Sequence, residues 1–374
     1  MTTAEASALP FKCTNCGRKQ PLSFGGGPCP VCGGMLDLAA PLAFDPAQVE
    51  QRAQGLWRYR HTFPLPVDAA PVTLGEGGTP LVAAEVAGRT VHFKLEYLQP
   101  TGSFKDRGMA VTFTALRASG ITDTLEDSSG NAGAAFAGYA ARAGIKARVF
   151  VPASAAGPKR AQIAAFGAEV VAVDGPRSAA AEAALAAVRG GAHYGSHIYN
   201  PIGLVGNATA AYELWEQLGH APEMIVLPVG HGTLLLGLHR GFKALKTAGL
   251  IDRLPRLVGV QALACAPLWA VHRYGREGLA MAREGATVAE GIRVVRPVRG
   301  DAVLAAIQDS GGTLLAVEEP DILAGQNALA QLGLYVETTS AVVWPVLGSL
   351  PAEAPGSTDI VVMLTGSGLK NKTA

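Results

Sequence analysis

The chain has 374 residues, 49% of them apolar and 16% charged, with a formal net charge of +1 and an isoelectric point near 7.7. That length and apolar share suffice for two ordinary domains around a sizeable core, and the near-neutral charge gives no reason to expect a nucleic-acid partner. No apolar run reaches membrane-spanning length and no basic region precedes an apolar stretch at the N-terminus, so the expectation is a cytoplasmic protein without membrane contact. Glycine is abundant (46 residues) and aromatics are few (6%), as in tightly packed α/β enzymes with close helix–strand contacts.

Cys13-Thr-Asn-Cys16 and Cys29-Pro-Val-Cys32 open the chain, separated by twelve residues, with Gly17, Gly33 and Gly34 after the pairs. Two such knuckles present four thiolates to one tetrahedral ion. A pair of disulfides would need an oxidising compartment, which nothing else in the sequence supports. Structural zinc on Cys13, Cys16, Cys29 and Cys32 is therefore expected, with no open coordination position. The few basic residues nearby (Lys12, Arg18, Lys19) lack an aromatic platform for nucleic acid. Cys265 lies in an apolar stretch and reads as a core thiol.

Residues 41–72, with Trp57, Tyr59 and Phe63 between charges and prolines, read as an ordered connector packed over the body. Glu76-Gly-Gly-Thr-Pro-Leu81 is a turn whose glycines permit close backbone approach. An apolar, strand-like run from Val91 to Leu98 then leads to Thr101-Gly102-Ser103-Phe104-Lys105-Asp106-Arg107-Gly108. Ser103 is a fair N-cap, with a helix predicted over Phe104 to Ala118. That places Lys105 in the first helical turn, where the dipole and desolvation lower a lysine pKa. Such a lysine suits a nucleophilic amine; by itself it reads equally as a surface lysine near a helix start.

From residue 121 strand and helix alternate. Strands are predicted at Lys146 to Val151, Glu169 to Val173, Met224 to Pro228, Leu257 to Gln261, Thr313 to Val317 and Asp359 to Leu364. Helices are predicted at Asn131 to Ala143, Pro158 to Phe166, Ser178 to Arg189, Gly203 to Leu218 and Thr233 to Lys246. This pattern implies α/β architecture with mostly parallel sheet, and ligands at the carboxyl ends of strands. Gly230-His231-Gly232-Thr233 follows one such strand and opens a helix, which makes a phosphate cradle of backbone N–H groups. Ser128-Ser129-Gly130-Asn131 occupies another strand-to-helix turn, and Leu364-Thr-Gly-Ser-Gly368 follows the last strand.

The segment Ser103-Phe-Lys-Asp-Arg107 resembles the Schiff-base lysine motif of the threonine-synthase-like branch of fold type II pyridoxal-phosphate (PLP) enzymes. Glu76 to Leu81, Ser128 to Gly133, Pro228 to Thr233 and Leu364 to Gly368 match further family segments in the same order. Together they cover the chain from about residue 70 to its end. The resemblance implies two α/β domains behind a small zinc ribbon, with a small domain inserted into a larger one. The boundaries expected are 1–40 for the ribbon, 41–120 with 221–374 for the large PLP-binding domain, and 121–220 for the inserted domain.

The resemblance also implies roles. Lys105 carries PLP and moves the α-proton of a small amino-acid substrate. Gly230, His231, Gly232 and Thr233 hold the cofactor phosphate, with His231 a loop histidine donating one hydrogen bond rather than an acid–base group. Asn131 meets the phenolic oxygen, and Thr365 meets the pyridine nitrogen. A neutral hydroxyl there leaves the ring a weaker electron sink, which favours elimination and replacement over transamination. Ser128 and Ser129 hold the substrate carboxylate. Glu290-Gly-Ile and Glu337-Thr-Thr-Ser340-Ala also resemble family segments, with Glu290 a second-rank candidate behind the site. A homodimer is compatible with this reading, although the residues do not fix the oligomeric state.

The match breaks at Asn200-Pro201-Ile202-Gly203. Family members acting on O-phosphohomoserine usually carry Asn-Pro-x-Arg there, and the arginine binds the substrate phosphate. Without it a buried phosphate loses about two charge-assisted hydrogen bonds, several kcal/mol, unless Lys159 or Arg160 compensates. The expectation is a PLP-dependent lyase or synthase that eliminates or replaces a β- or γ-substituent of a small amino acid. Threonine synthase acting on O-phosphohomoserine, or a serine/threonine dehydratase-like lyase, is the alternative. A non-catalytic zinc-ribbon regulator is disfavoured by the presence of Lys105 and Asn131.

Overall fold

The computed structural model describes residues 9–24, 26–155, 157–350 and 359–370. Its first strands, β1 (Phe11–Cys13), β2 (Lys19–Gln20) and β3 (Leu36–Leu38), form a small antiparallel sheet in the order β2-β1-β3. The connector that follows is ordered: Trp57, Tyr59 and Phe63 are buried, and Trp57 Nε1 donates to Glu76 Oε1 at 2.6 Å.

The main sheet has six strands. They are β4 (Leu81–Val86), β5 (Arg89–Lys94), β9 (Met224–Pro228), β10 (Arg256–Ala262), β11 (Thr313–Val317) and β12 (Ile360–Met363), in the order β11-β10-β9-β12-β5-β4. All neighbours are parallel except β4 on β5. The Val-, Ile- and Leu-rich β9 and β12 are buried along their whole length, as central parallel strands covered on both faces must be. The last strand inserts between β9 and β5. The loops after β5, β9 and β12 therefore converge at one edge of the sheet, where connections diverge to either side.

A second, three-stranded parallel sheet contains β6 (Asp123–Glu126), β7 (Lys146–Pro152) and β8 (Glu169–Val173). The backbone at Tyr194 pairs in parallel with Leu125 and extends β6 by one bridge.

The helices that frame the site are α1 (Lys105–Ala118), α2 (Asn131–Ala143), α3 (Pro158–Ala165), α4 (Arg177–Arg189), α5 (Ile202–Leu218) and α6 (Thr233–Thr247). Helix α5 packs between α1 and α6 at backbone distance. A Cβ on Gly206 would lie 2.0 Å from Arg107 O, and one on Gly241 would lie 2.5 Å from Ala208 O. Helices Pro267–Tyr274, Gly300–Asp309 and Glu319–Gln331 complete the layers around β10 and β11.

Two local expectations are corrected. Helix α1 begins at Lys105 with Phe104 as its flanking residue, and no side chain caps it. Ser103 instead joins Gly366 in an antiparallel bridge, which draws its backbone away from capping geometry. The strand predicted over Val91 to Leu98 ends at Lys94, and Glu96–Leu98 form a 3-10 turn. The cause is Glu96, whose carboxylate turns inward to meet Arg107 at 2.7 Å.

Candidate active site

Lys105 stands where the converging loops meet. Phe104 N donates to Thr365 O at 3.0 Å, and Ser367 N donates to Gly102 O at 3.0 Å, so the lysine loop and the loop after β12 are stitched together. Beneath them Arg107 is fully buried. Its guanidinium donates to Glu96 and Glu213 at 2.7 Å and to Thr209 at 3.0 Å, while Lys94 Nζ donates to Glu213 at 2.8 Å. Two cations and two carboxylates thus balance under the first turn of α1 and fix its position against α5. Asp106 ties the same turn back to Thr101, accepting from its N–H at 2.8 Å and its hydroxyl at 2.6 Å.

Burial pulls the Lys105 ammonium down to about 8. Glu126 and Glu337 oppose that shift, and Arg177 adds to it. Its Nζ lies 4.6 Å from the centre of the Phe104 ring, and it lines a cavity with Gly108, Met109, Thr112, His197, Gly203, Asn207 and Thr233. Lysine is thereby closer to a neutral amine than a solvated one would be.

The other sequence-predicted residues gather here. Gly230 to Thr233 connect β9 to α6, with Gly232 at φ +81 as the flanking residue of the helix. A Cβ on Gly232 would lie 2.2 Å from Val303 Cγ2, so that position is reserved for glycine. Asn131 opens α2 and donates to Glu337 Oε1 at 2.7 Å, which Gly366 permits because a Cβ there would lie 2.2 Å from that oxygen. Thr365 is buried, its hydroxyl 3.0 Å from Ser340 Oγ, and that oxygen also accepts from the N–H of Thr365 and Gly366. Ser128 and Ser129 lie between β6 and α2, Ser128 accepting from Gly130 N at 3.3 Å.

Several residues were absent from the sequence-based site. Glu126 and His197 meet beside Lys105, with His197 Nδ1 2.5 Å from Glu126 Oε1. Lys159, read from the sequence only as a cation that could meet a substrate phosphate, pairs with Glu337 at 2.8 Å. Ser340 was noted only as part of a matching segment, and its function as an anchor for the last loop is a tertiary fact. Glu290 is exposed, on a short turn whose backbone passes Gly230. Cys265 is buried in the core, as expected.

Whether these residues suit a polar ligand is visible in the buried atoms they leave without protein partners. Ser103 Oγ, Asn131 Oδ1, Asn207 Oδ1 and His231 Nδ1 are all in this state. Each such group costs about 1–3 kcal/mol when nothing meets it. Their clustering around Lys105 and the glycine cradle fits a phosphorylated, hydrogen-bonding cofactor. His231 is held neutral by burial and by neighbouring positive charge, so its role is that of a hydrogen-bonding group.

The four N-terminal cysteines form a separate cluster. Their sulfur atoms lie within 4.8 Å of one another, and no disulfide joins them. Cys13 and Cys32 are 3.5 Å apart and Cys16 and Cys29 3.8 Å, near the ~3.8 Å edge of a tetrahedron with ~2.3 Å metal–sulfur bonds.

A fold of this kind, with a half-buried lysine at the head of α1 and a glycine cradle at the head of α6, defines a cofactor-dependent α/β enzyme. The family profile described as pyridoxal-phosphate dependent enzyme matches residues 72–366, and the chain belongs to that family. It is a PLP-dependent lyase. Among curated proteins it is 37% identical to threonine synthase of Mycobacterium leprae (strain TN) over 332 residues, covering 84% of this chain and 87% of that one. It is 35% identical to threonine synthase of Methanosarcina acetivorans over 346 residues, covering 88% and 84%. Among solved structures it is similar to a threonine deaminase from T.th., with a TM-score of 0.64 and 26% identity over 79% of this chain and 94% of that one. It shares its fold with a fungal L-serine ammonia-lyase from Rhizomucor miehei, with a TM-score of 0.67 and 22% identity over 80% and 95%.

Proposed function

We propose that the chain catalyses β- or γ-elimination or replacement on a small amino acid whose leaving group is neutral or modestly polar. The observation that carries this reading is the cavity around Lys105, where no other lysine or arginine is among the described lining residues. Gly203, at the position where an arginine would meet a substrate phosphate, faces Gly108 and Thr112. The two cations expected to compensate already have partners. Lys159 pairs with Glu337, and Arg160 donates to the carbonyl of Ala155 at 2.7 Å.

Lys105 Nζ would attach the cofactor. Gly230, His231, Gly232 and Thr233 take its phosphate at the head of α6, with backbone N–H groups and the helix dipole supplying the attraction. Asn131 serves the phenolic oxygen. Thr365, held by Ser340, presents a neutral hydroxyl to the pyridine nitrogen. When bound, the cofactor supplies an electron sink for the bonding pair at the substrate α-carbon. Lys105, as a free amine, would move the α-proton. Ser128, Ser129 and the N–H groups at the start of α2 hold the substrate carboxylate, and the buried setting keeps water from the reacting atoms.

The three-stranded sheet supports assigning 121–220 to an inserted small domain, 41–120 with 221–374 to the large one, and 1–40 to the ribbon. Sulfur geometry supports one zinc ion on Cys13, Cys16, Cys29 and Cys32, and four unpaired thiols suit a reducing, cytoplasmic setting.

The test is a steady-state comparison of serine, threonine and their O-acetylated analogues with O-phosphohomoserine. Turnover of the neutral substrates is expected, with little or none of the phosphorylated one. Threonine synthase is the second reading, favoured by the named relatives. A specificity constant of about 10⁴ M⁻¹s⁻¹ or more for O-phosphohomoserine would decide for it.

A further inference from the structure

Glu126 and His197 have no part in the scheme above, yet His197 lines the same cavity and Glu126 stands directly behind it. Glu126 ends β6 and is fully buried. Both of its oxygens face His197: Oε1 lies 2.5 Å from Nδ1, and Oε2 accepts the backbone N–H at 3.1 Å. The bridge between Leu125 and Tyr194 sets this register. With Nδ1 engaged, Nε2 meets no hydrogen-bond partner among the described residues, and His197 lines the cavity beside Lys105, Gly203 and Asn207.

The charged and titratable groups around the pair are Lys105 on α1, Asp127 beside Glu126, Arg177 at the start of α4, and His231 before α6. Burial pushes the Glu126 carboxyl up to about 8, against the pull of the His197 N–H, Arg177 and Lys105. Burial also holds the His197 imidazole well below its ordinary value, helped by Lys105 and Arg177. Full burial of Glu126, with a single backbone N–H on Oε2, favours a carboxylic acid donating from Oε1 to Nδ1 of a neutral imidazole, whose own proton then sits on Nε2.

We propose that His197 is the catalytic acid for the departing group and that Glu126 is the residue that positions it and supplies its next proton. The proposal rests on the substrate reading above. In β-elimination Lys105 takes the α-proton, and the electron pair left at the α-carbon forms the new C=C bond as the C–O bond breaks. The bonding pair stays on the leaving oxygen, which takes the proton from Nε2. Nδ1 then takes the proton from Glu126, which ends as a carboxylate accepting from Nδ1–H and from the backbone N–H of His197. A hydroxyl leaving group needs such a proton because it departs as water. A phosphate, which leaves as a stable anion, does not.

The test uses the holoenzyme and the variants Glu126→Gln and His197→Asn, with serine, O-acetylserine and α-proton exchange in D₂O. Glutamine keeps a hydrogen bond to Nδ1 but has no proton to hand over. Both variants are expected to lose about 100-fold or more in kcat with serine and less than about tenfold with O-acetylserine, while α-proton exchange persists. Nitrogen NMR of histidine-labelled wild-type protein, with and without cofactor, should show His197 as the neutral Nε2–H tautomer between about pH 6 and 8. Equal losses with both substrates beside persistent exchange, or a doubly protonated His197, would overturn the relay alone. Absence of α-proton exchange in wild type with every neutral amino acid would overturn the substrate reading and this proposal with it.

Discussion

Lys105 shows how one side chain acquires reactivity from its surroundings. At pH 7 an amine with a pKa of about 8 is about one-tenth neutral, whereas one at the ordinary value of about 10.4 is neutral in fewer than about one molecule in a thousand. Attachment of PLP to cofactor-free protein is therefore expected to quicken as pH rises and to level off above about 8, where Lys105 is already deprotonated. Absorbance at the imine band, followed after mixing, measures this directly. Borohydride reduction and peptide mapping should place the adduct on Lys105. Lys105→Arg should leave none, because a guanidinium is never the free amine the linkage requires. An adduct on a different lysine would be incompatible with the assignment.

Between elements, the decisive contact is that of α1 with α5, through Arg107. Its charge is matched by Glu96 and Glu213 in a region closed to solvent, so truncation strands two buried carboxylates with only Lys94 nearby. Arg107→Met is expected to cost about 3–5 kcal/mol of stability, read as a lowered denaturant midpoint, and to reduce cofactor affinity by loosening the turn that carries Lys105. Both carboxylates are held below the ordinary value in the folded protein. Their stabilisation is full above roughly pH 5 and fades as pH falls through the folded-state values. The gap between wild type and Arg107→Met should therefore narrow in acid. A gap independent of pH would mean that lost packing, and not charge, dominates.

Across the whole molecule, the cysteine cluster and the active site are connected through packing. Asp37, next to the ribbon cysteines in space, pairs with Arg240 of α6 at 2.6 Å. A Cβ on Gly26 would lie 2.5 Å from Tyr194 O, so the ribbon rests directly on the segment that carries His197. Arg299 holds that segment from the other side, donating to the carbonyls of Ile198 and Tyr199 at 2.9 Å. Metal analysis should give about one zinc per chain, and chelation should lower the thermal midpoint as the ribbon loosens. Because closed four-thiolate coordination offers no position to substrate, any loss of turnover should track loss of folded protein. Turnover abolished in fully folded protein with cofactor still attached would show that the ribbon does more than support the fold.

The sequence by itself determined what local chemistry can encode. Alternating strand and helix patterns placed β8, β9, β11 and α2 at their observed bounds, because buried parallel strands and helix boundaries leave their signature in adjacent residues. The paired cysteines, the glycine turn before α6 and the lysine at the head of α1 were legible for the same reason. Residue identity and short spacing already limit what each can do. Only the tertiary structure decided which distant side chains complete them. His197 meets Glu126 across 71 positions and Asn131 meets Glu337 across 206, separations at which no periodicity survives. Ser103 reads locally as a helix cap, yet its backbone is claimed by Gly366 of the last loop. Burial settled the rest, since an amine, a carboxyl and two imidazoles change their protonation only once the fold has removed the water around them.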